Sequence, residues 1–473
     1  MRTLIPMMLL TSSLLCHAEG LPDLGDVSQA AVSPQQERQI GEQSMIEIRA
    51  DRSYLDDAEI SDYLNQLGYQ LVANSSEPGQ EFEFFAINDN AINAFALPGG
   101  FIGVNTGLML TAQSESELAS VLGHEIAHVT QHHLARMISG QKVDSLAAMA
   151  AIAVAILAAR SNPEASQAAI VGAQAGSIQR QLNFTRTHEQ EADRIGLATL
   201  QQSGFDARAM PAFLERLQKA TSLLEGNTPS YLRTHPVTSE RIADIANRVQ
   251  QIPFRLVADS LDFHLVRARL QTMRKSPQEA VAFFTDAMGP QKYGNQTAQR
   301  YGLALALLRS NQPARAAKEF APLHELAAHN PMIATLAGQI RRADKNDKGI
   351  IEFYRSATQN FPQHRALTYD YAELLLQARQ YEDALKLLNE QVISHPNDPR
   401  LHELQAQVYA ALGKRQEEHH ALAHAYALRG NLHGAIAQLE LAKQAGSDYY
   451  QLSAIESELK QYRETVAVHT RKN

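Results

Sequence analysis

The chain has 473 residues, 44% apolar and 20% charged, with a formal net charge of −8. That is enough chain for two or three domains with cores of their own, and an acidic balance without a long basic run argues against nucleic acid as a partner. The one cysteine, Cys16, lies in the first segment, so a chain that loses this segment can form no disulfide.

Residues 1–18 read as a secretory signal peptide. Arg2 precedes the apolar run Leu4 to Leu15, and Cys16-His17-Ala18 puts small residues three and one positions before a cut after Ala18. The run is shorter than the roughly 20 residues a spanning helix needs. A lipid anchor on Cys16 is the rival reading, opposed by the bulky Leu15 before it. Cleavage removes Arg2 and no acid, taking the charge to −9. Export, no disulfide and modest acidity fit a bacterial periplasm.

Residues 24–80 are expected to be helical and polar. Strand signals follow at Glu81 to Ile87, with Phe82, Phe84 and Phe85, at Ala91 to Leu97, and at Phe101 to Val104 beyond the turn Pro98-Gly99-Gly100. A small sheet with an irregular edge is predicted. From Ser114 the pattern turns helical, opened by a capping box of Ser114 and Glu117, with Leu118, Val121, Leu122 and Val129 at helical spacing. Leu146 to Ala159 is a fourteen-residue apolar run. It is too short to span a bilayer and reads as a buried helix or as a segment lying on a membrane surface. Helical patterns return through Glu189 to Leu200 and Met210 to Leu224, and Gly226 to His235 is expected to be a loop.

Beyond about residue 255 the chain becomes rich in Ala, Leu and Gln. Small or apolar residues opening a second helix recur at Ala280, Ala316, Ile350 and Ala384, with spacings of 36, 34 and 34. That is the tetratricopeptide period, expected to stack four to five helix pairs into a superhelix. The predicted architecture is α+β and predominantly helical: a signal peptide over 1–18, a first domain with a small β-sheet over 19–252, and an all-α tetratricopeptide-repeat superhelix over 253–473.

The chemistry concentrates in His124-Glu125-Ile126-Ala127-His128. Residues four apart on a helix share a face, so both imidazoles can reach one metal ion, for which zinc is expected. Glu125 lies about 100° round the helix, placed to act on a water rather than on the metal, as general base. A zinc peptidase needs a third ligand and an open position. Among His188, Glu189, Glu191 and Asp193, the pair Glu189 and Asp193 shares a helical face while Glu191 points away; Glu189 is assigned to the metal and Asp193 to the free nitrogen of a ligating histidine. Asn93-Ala94-Phe95-Ala96-Leu97 is either a strand edge that a substrate peptide extends or a plain structural hairpin. His235-Pro236 with Arg241 offers a proton donor and a positive charge for an oxyanion; equally, His235 is a candidate fourth ligand that would silence the site. His132 and His133 are expected on the polar surface, carried away by the helix.

These residues resemble the HtpX and CAAX prenyl protease family of zinc metallopeptidases, whose pattern is HExxH, then ExxxD, then His-Pro followed by Arg. The resemblance rests on His124 to His128, Glu189 to Asp193, and His235-Pro236 with Arg241, and Asn93 to Gly107 looks like the family's substrate-edge segment. It implies a zincin-type fold over about residues 35–250 and one zinc ion per chain. HtpX itself is membrane-embedded, and this sequence has no spanning run. Taken with the signal peptide and the repeats, the chain resembles a periplasmic, repeat-bearing branch of such peptidases. That likeness implies outer-membrane β-barrel proteins and their assembly machinery as clients or docking partners, with both assembly-promoting and degradative roles. The rival expectation is a non-proteolytic, repeat-based scaffold or chaperone whose metal site is latent or structural.

Overall fold

The computed structural model describes residues 32–139, 186–223, 230–289, 294–344 and 347–472. The expected signal peptide and the apolar run Leu146 to Ala159 lie outside them. Two helices open the chain. α1 (Pro34–Ala50) starts on a capping box in which Ser33 Oγ accepts from Gln36 N and Gln36 Oε1 accepts from Ser33 N. α2 (Ala58–Val72) starts on Asp57, whose carboxylate accepts from Ile60 N.

Three strands follow: β1 (Glu83–Ile87), β2 (Ala94–Leu97) and β3 (Phe101–Asn105). The sheet order is β1-β3-β2, parallel between β1 and β3 and antiparallel between β2 and β3. Gly99 and Gly100, at φ +74° and +88°, make the β2–β3 turn in the left-handed region; a methyl on Gly100 would lie 2.2 Å from Glu81 O. The outer flank of β1 is already taken. The Asn65 amide donates to Phe84 O and accepts from Phe84 N at 2.8 and 3.1 Å, and Tyr54 bridges Ile87. β2 is therefore the sheet edge without a neighbouring strand among the described residues.

After α3 (Thr106–Thr111) comes α4 (Glu115–Thr130), buried along its whole length. Ser114 caps it as expected, but Glu117 Oε2 accepts from Gln113 N instead of from Ser114 and also pairs with Arg216. α5 (His133–Ser139) follows a break at His132, and α6 (Arg186–Gln202) packs along α4. Then come α7 (Ala209–Leu223), α8 (Ser230–Thr234) and α9 (Ser239–Gln250), the last capped by Thr238. The predicted loop before His235 thus contains a short helix.

The described residues of 261–472 hold twelve α helices in six consecutive pairs: α10 (Leu261–Met273) with α11 (Pro277–Ala287), α12 (Gln296–Arg309) with α13 (Pro313–Phe320), α14 (Pro331–Ala343) with α15 (Ile350–Asn360), α16 (Arg365–Gln377) with α17 (Tyr381–Ser394), α18 (Pro399–Ala411) with α19 (Arg415–Leu428), and α20 (Leu432–Ala445) with α21 (Tyr449–Lys472). This exceeds the four to five pairs expected, because the closely spaced turns at Gly413 and Gly430 close α19 on both sides. Ala280, Ala316 and Ala384 are buried fourth residues of their helices. Ile350 is half-buried and opens α15, where Tyr354 takes the buried place against Gly338.

The repeats wrap the first domain rather than trail from it. One apolar cluster joins residues of both parts, from Leu55 and Ile60 to Leu336 and Ile340. Arg269 of α10 grips Asp57 and Glu59 at 2.8 Å each, Ser260 N and Oγ donate to Glu115 at 2.8 and 2.7 Å, and Arg365 of α16 pairs with Asp62 at 2.6 Å. The α19–α20 turn comes so close to α1 that a methyl on Gly430 would lie 2.4 Å from Ile46 O. Between these fastenings a cavity of about 920 Å³ opens, lined by Arg49, Asp62, Tyr69, His364, Arg365 and Arg429 among others and by none of the histidines of α4.

Candidate active site

α4 and α6 cross at two glycines. A methyl on Gly196 would lie 2.9 Å from His124 N and 3.0 Å from Gly123 C and O, so only glycine allows the two helices to approach this closely. That approach brings the inward face of α4, carrying His124 and His128, against the face of α6 carrying Glu189 and Asp193. The α8–α9 junction supplies His235 and Arg241. All seven predicted residues, Glu125 included, are 1–4% exposed.

Four ligand atoms meet in this space, one each from His124, His128, Glu189 and His235, all within 4.8 Å of one another. His124 Nε2 is 3.0 Å from His128 Nε2 and 3.3 Å from His235 Nδ1; Glu189 Oε1 is 3.1 Å from His235 Nδ1 and 3.4 Å from His128 Nε2. Zinc bonds to nitrogen and oxygen of about 2.0–2.1 Å give a tetrahedron with edges of roughly 3.3–3.4 Å. Four of the six spacings, at 3.0–3.4 Å, lie close to that figure. Charge agrees: three carboxylates, Glu125, Glu189 and Asp193, face one guanidinium, Arg241, leaving two negative charges for a divalent cation to balance when the imidazoles are neutral.

A second ring of contacts orients these groups. Asp193 Oδ1 is 3.0 Å from His124 Nδ1, and Arg241 holds Asp193 through Nε and Nη2 at 2.7 and 2.8 Å. Arg241 Nη1 also reaches Glu189 Oε2 at 2.6 Å and Pro236 O at 2.7 Å. Tyr231 stacks on His235 at 4.8 Å between centroids, and its amide donates to Ile92 O just before β2. The segment bearing His235 is thereby tied to the end of the edge strand. Glu125 Oε1 is 3.5 Å from His235 Nε2 and makes no hydrogen bond, although it is buried.

The protonation preferences follow from this geometry. Burial lowers His128 to about 3, outweighing Glu189. Burial opposes charge on His124 too, but hydrogen bonds to Asp193 and Glu189 push it up to about 10. Burial would raise Glu189, yet His235, His124 and His128 hold it well below the ordinary carboxylate range. The centre is a basin of negative potential that draws in positive charge.

One expectation fails. His132 and His133 are buried, not surface residues. α4 ends at Thr130, and His132 turns the chain at φ +48°, which swings His133 back toward the cluster instead of along the helix. His133 Nδ1 lies 2.8 Å from His128 Nδ1, and its Nε2 lies 3.2 Å from Glu191 Oε2, which Arg136 also holds at 2.9 Å. His188 stacks on the His133 ring at 4.5 Å. His133 and Glu191 thus stand behind His128 as Asp193 stands behind His124. The sequence carried only the residue types as a signal, because the break after Thr130 has no glycine or proline to announce it.

The sequence pattern of peptidase family M48 matches residues 59–249, and a tetratricopeptide-repeat pattern matches residues 342–408. The β-barrel assembly-enhancing protease of Escherichia coli strain K12 is 35% identical over 428 residues, covering 90% of this chain and 87% of that one. A putative β-barrel assembly-enhancing protease of Vibrio cholerae is 36% identical over 418 residues, covering 88% and 86%. The chain belongs to the β-barrel assembly-enhancing protease family. The mitochondrial metalloendopeptidase OMA1 of Arabidopsis thaliana is 31% identical over 229 residues, 48% of this chain and 44% of that one. As a member of this family with an M48 domain, the chain is a zinc-dependent metalloendopeptidase, and among its described residues no helix is long and apolar enough to cross a membrane.

Proposed function

We propose that this member of the β-barrel assembly-enhancing protease family is an exported periplasmic peptidase, with residues 1–18 as signal peptide, 19–252 as peptidase domain and 253–473 as repeat domain, and that His235 holds it latent. His124, His128 and Glu189 would hold the zinc ion, and His235 would occupy the place of the reactive water until it swings away. The observation that carries this reading is the meeting of four donor atoms within 4.8 Å of one another, one of them from a short segment outside the HExxH helix. When bound, the ion acidifies a water and polarises the scissile carbonyl. Glu125 takes the proton of the attacking water and passes it to the leaving amine, a role supported by its buried oxygen without a hydrogen bond. Asp193 fixes the His124 tautomer, and Arg241, fully engaged by Asp193, Glu189 and Pro236, positions both carboxylates.

Substrate enters extended along Asn93, Ala94, Phe95, Ala96 and Leu97. β1 is covered on its outer flank, and among the described residues no strand pairs with the side of β2 away from β3, which supports this edge over a merely structural hairpin. The names of the relatives support outer-membrane β-barrel proteins as clients, with their assembly machinery as docking partner. The chemistry agrees, since an unassembled barrel exposes unpaired strand edges able to pair with β2. The repeats would hold such clients on their concave face, which also accounts for a role in assembly without cleavage.

The test uses casein hydrolysis and zinc content of the mature chain. Glu125→Gln should keep the zinc and lose about 100-fold or more of the activity, the usual contribution of general-base catalysis. His235→Ala should raise activity by opening the site; a fall would return His235 to oxyanion stabilisation. Full activity in Glu125→Gln, or in the chelated protein, would overturn the peptidase reading in favour of the scaffold.

A further inference from the structure

A second group of metal-ligating side chains lies in the repeat domain, remote in sequence from α4. His420 and His424 stand four apart on α19, so they share a face, and Glu458 reaches them from α21. His420 Nε2 and His424 Nε2 are 3.2 Å apart, and Glu458 Oε2 is 3.0 Å from the first and 3.2 Å from the second. These three spacings approach one face of a zinc tetrahedron, whose edges are roughly 3.3–3.4 Å. His402 is near but does not join: its ring centroid is 5.2 Å from that of His424, while its Nε2 donates to Pro396 O at 2.9 Å. His419 is engaged by Gln438.

We propose that His420, His424 and Glu458 bind a second divalent ion of the zinc class and clamp the C-terminal helix α21 onto α19. Two imidazoles and a carboxylate suit such borderline ions better than calcium or magnesium, which prefer oxygen. The three side chains are 26–35% exposed, so the fourth position opens to solvent and to a cavity of about 310 Å³ lined in part by Gln405, Gln416 and Ile455. The site is not a second peptidase centre. In His420-Ala421-Leu422-Ala423-His424 an alanine occupies the position where Glu125 stands in the first motif, so the site lacks the counterpart of Glu125. The consequence is mechanical: the ion would join helices that are otherwise linked through α20 and would stiffen the last hairpin.

The experiment is zinc titration of the full mature chain, with retained metal counted after desalting, beside a His420→Ala/His424→Ala variant. The wild-type chain should retain one more zinc per chain, and zinc should slow amide exchange along α21 in the wild type alone. The difference between the two proteins does not depend on what the α4 cluster holds. Casein hydrolysis should be equal in both. If the double variant lost helical content, His424→Gln, which keeps the side chain's bulk, would be measured in its place. Equal zinc retention, as two imidazoles sharing one carboxylate without an ion would give, overturns the proposal.

Discussion

Arg241 shows how one side chain can sustain a metal centre without touching the metal. It is 1% exposed and binds Asp193, Glu189 and the Pro236 carbonyl at once. Removing it leaves two buried carboxylates without their cation. Arg241→Met should therefore cost about 3–5 kcal/mol of stability and weaken zinc retention by about 10–100-fold, as losses behind a ligand do. Thermal unfolding and competition against a coloured chelator check the two figures. His133→Ala makes the companion case: it should weaken zinc retention by about 10-fold or more while leaving the fold intact, and unchanged retention would reduce His133 to packing. The meeting of His124, His128 and Glu189 was legible in the sequence, because HExxH and ExxxD place their side chains by helical periodicity alone. His133 was not, because its place depends on where α4 stops, and a single left-handed residue of ordinary type decides that.

The helices α4 and α6 meet through the absence of two side chains. A methyl on Gly196 would press on backbone atoms of Gly123 and His124, which cannot rotate out of the way. Gly196→Ala should push the helices apart, destabilise the protein by about 1–3 kcal/mol as overpacking does, and lower zinc content because Glu189 and Asp193 ride on the displaced helix. Unaltered zinc content and melting temperature would show that α6 yields without moving its carboxylates. This joint was hidden in the sequence: each glycine sits inside a helical pattern where it only weakens the local prediction. The strands were found to within three residues, since Phe82, Phe84, Phe85 and the Pro98-Gly99-Gly100 turn are strong local signals. The covering of β1 by Asn65 was not, for it joins positions 19 residues apart through one amide. In the repeats the period was legible and the count was not, because hairpins of near-equal helices look alike whichever helix opens them.

The two halves of the molecule are fastened by buried ions. Burial would raise Glu59, but Arg269 and His364 hold it below the ordinary range, and Tyr301 donates to it. A carboxyl held low in the folded chain contributes stability that is present above its unfolded value and lost as pH falls through the folded one. The melting temperature should therefore decline as pH drops below about 4.3, the ordinary glutamate value. Arg269→Ala should cost about 3–5 kcal/mol at neutral pH and flatten that acid decline, since Glu59 would no longer be held down; a decline of unchanged steepness would assign it to other carboxyls. With one apolar cluster joining residues of both parts, calorimetry should give one transition for the peptidase domain and the first repeats together.

The donors of the tetrad come from far apart along the chain: His124 and His235 are 111 positions distant, with Glu189 46 positions before His235. A polypeptide emerging from synthesis or from an export channel presents the HExxH helix long before the remainder arrives. Until then its two imidazoles form an incomplete grip, and no peptide bond is at risk from it. When the grip is completed, His235, the residue proposed to seal it, is the last of the four to arrive, so on that proposal the newborn hydrolase comes into being already muzzled.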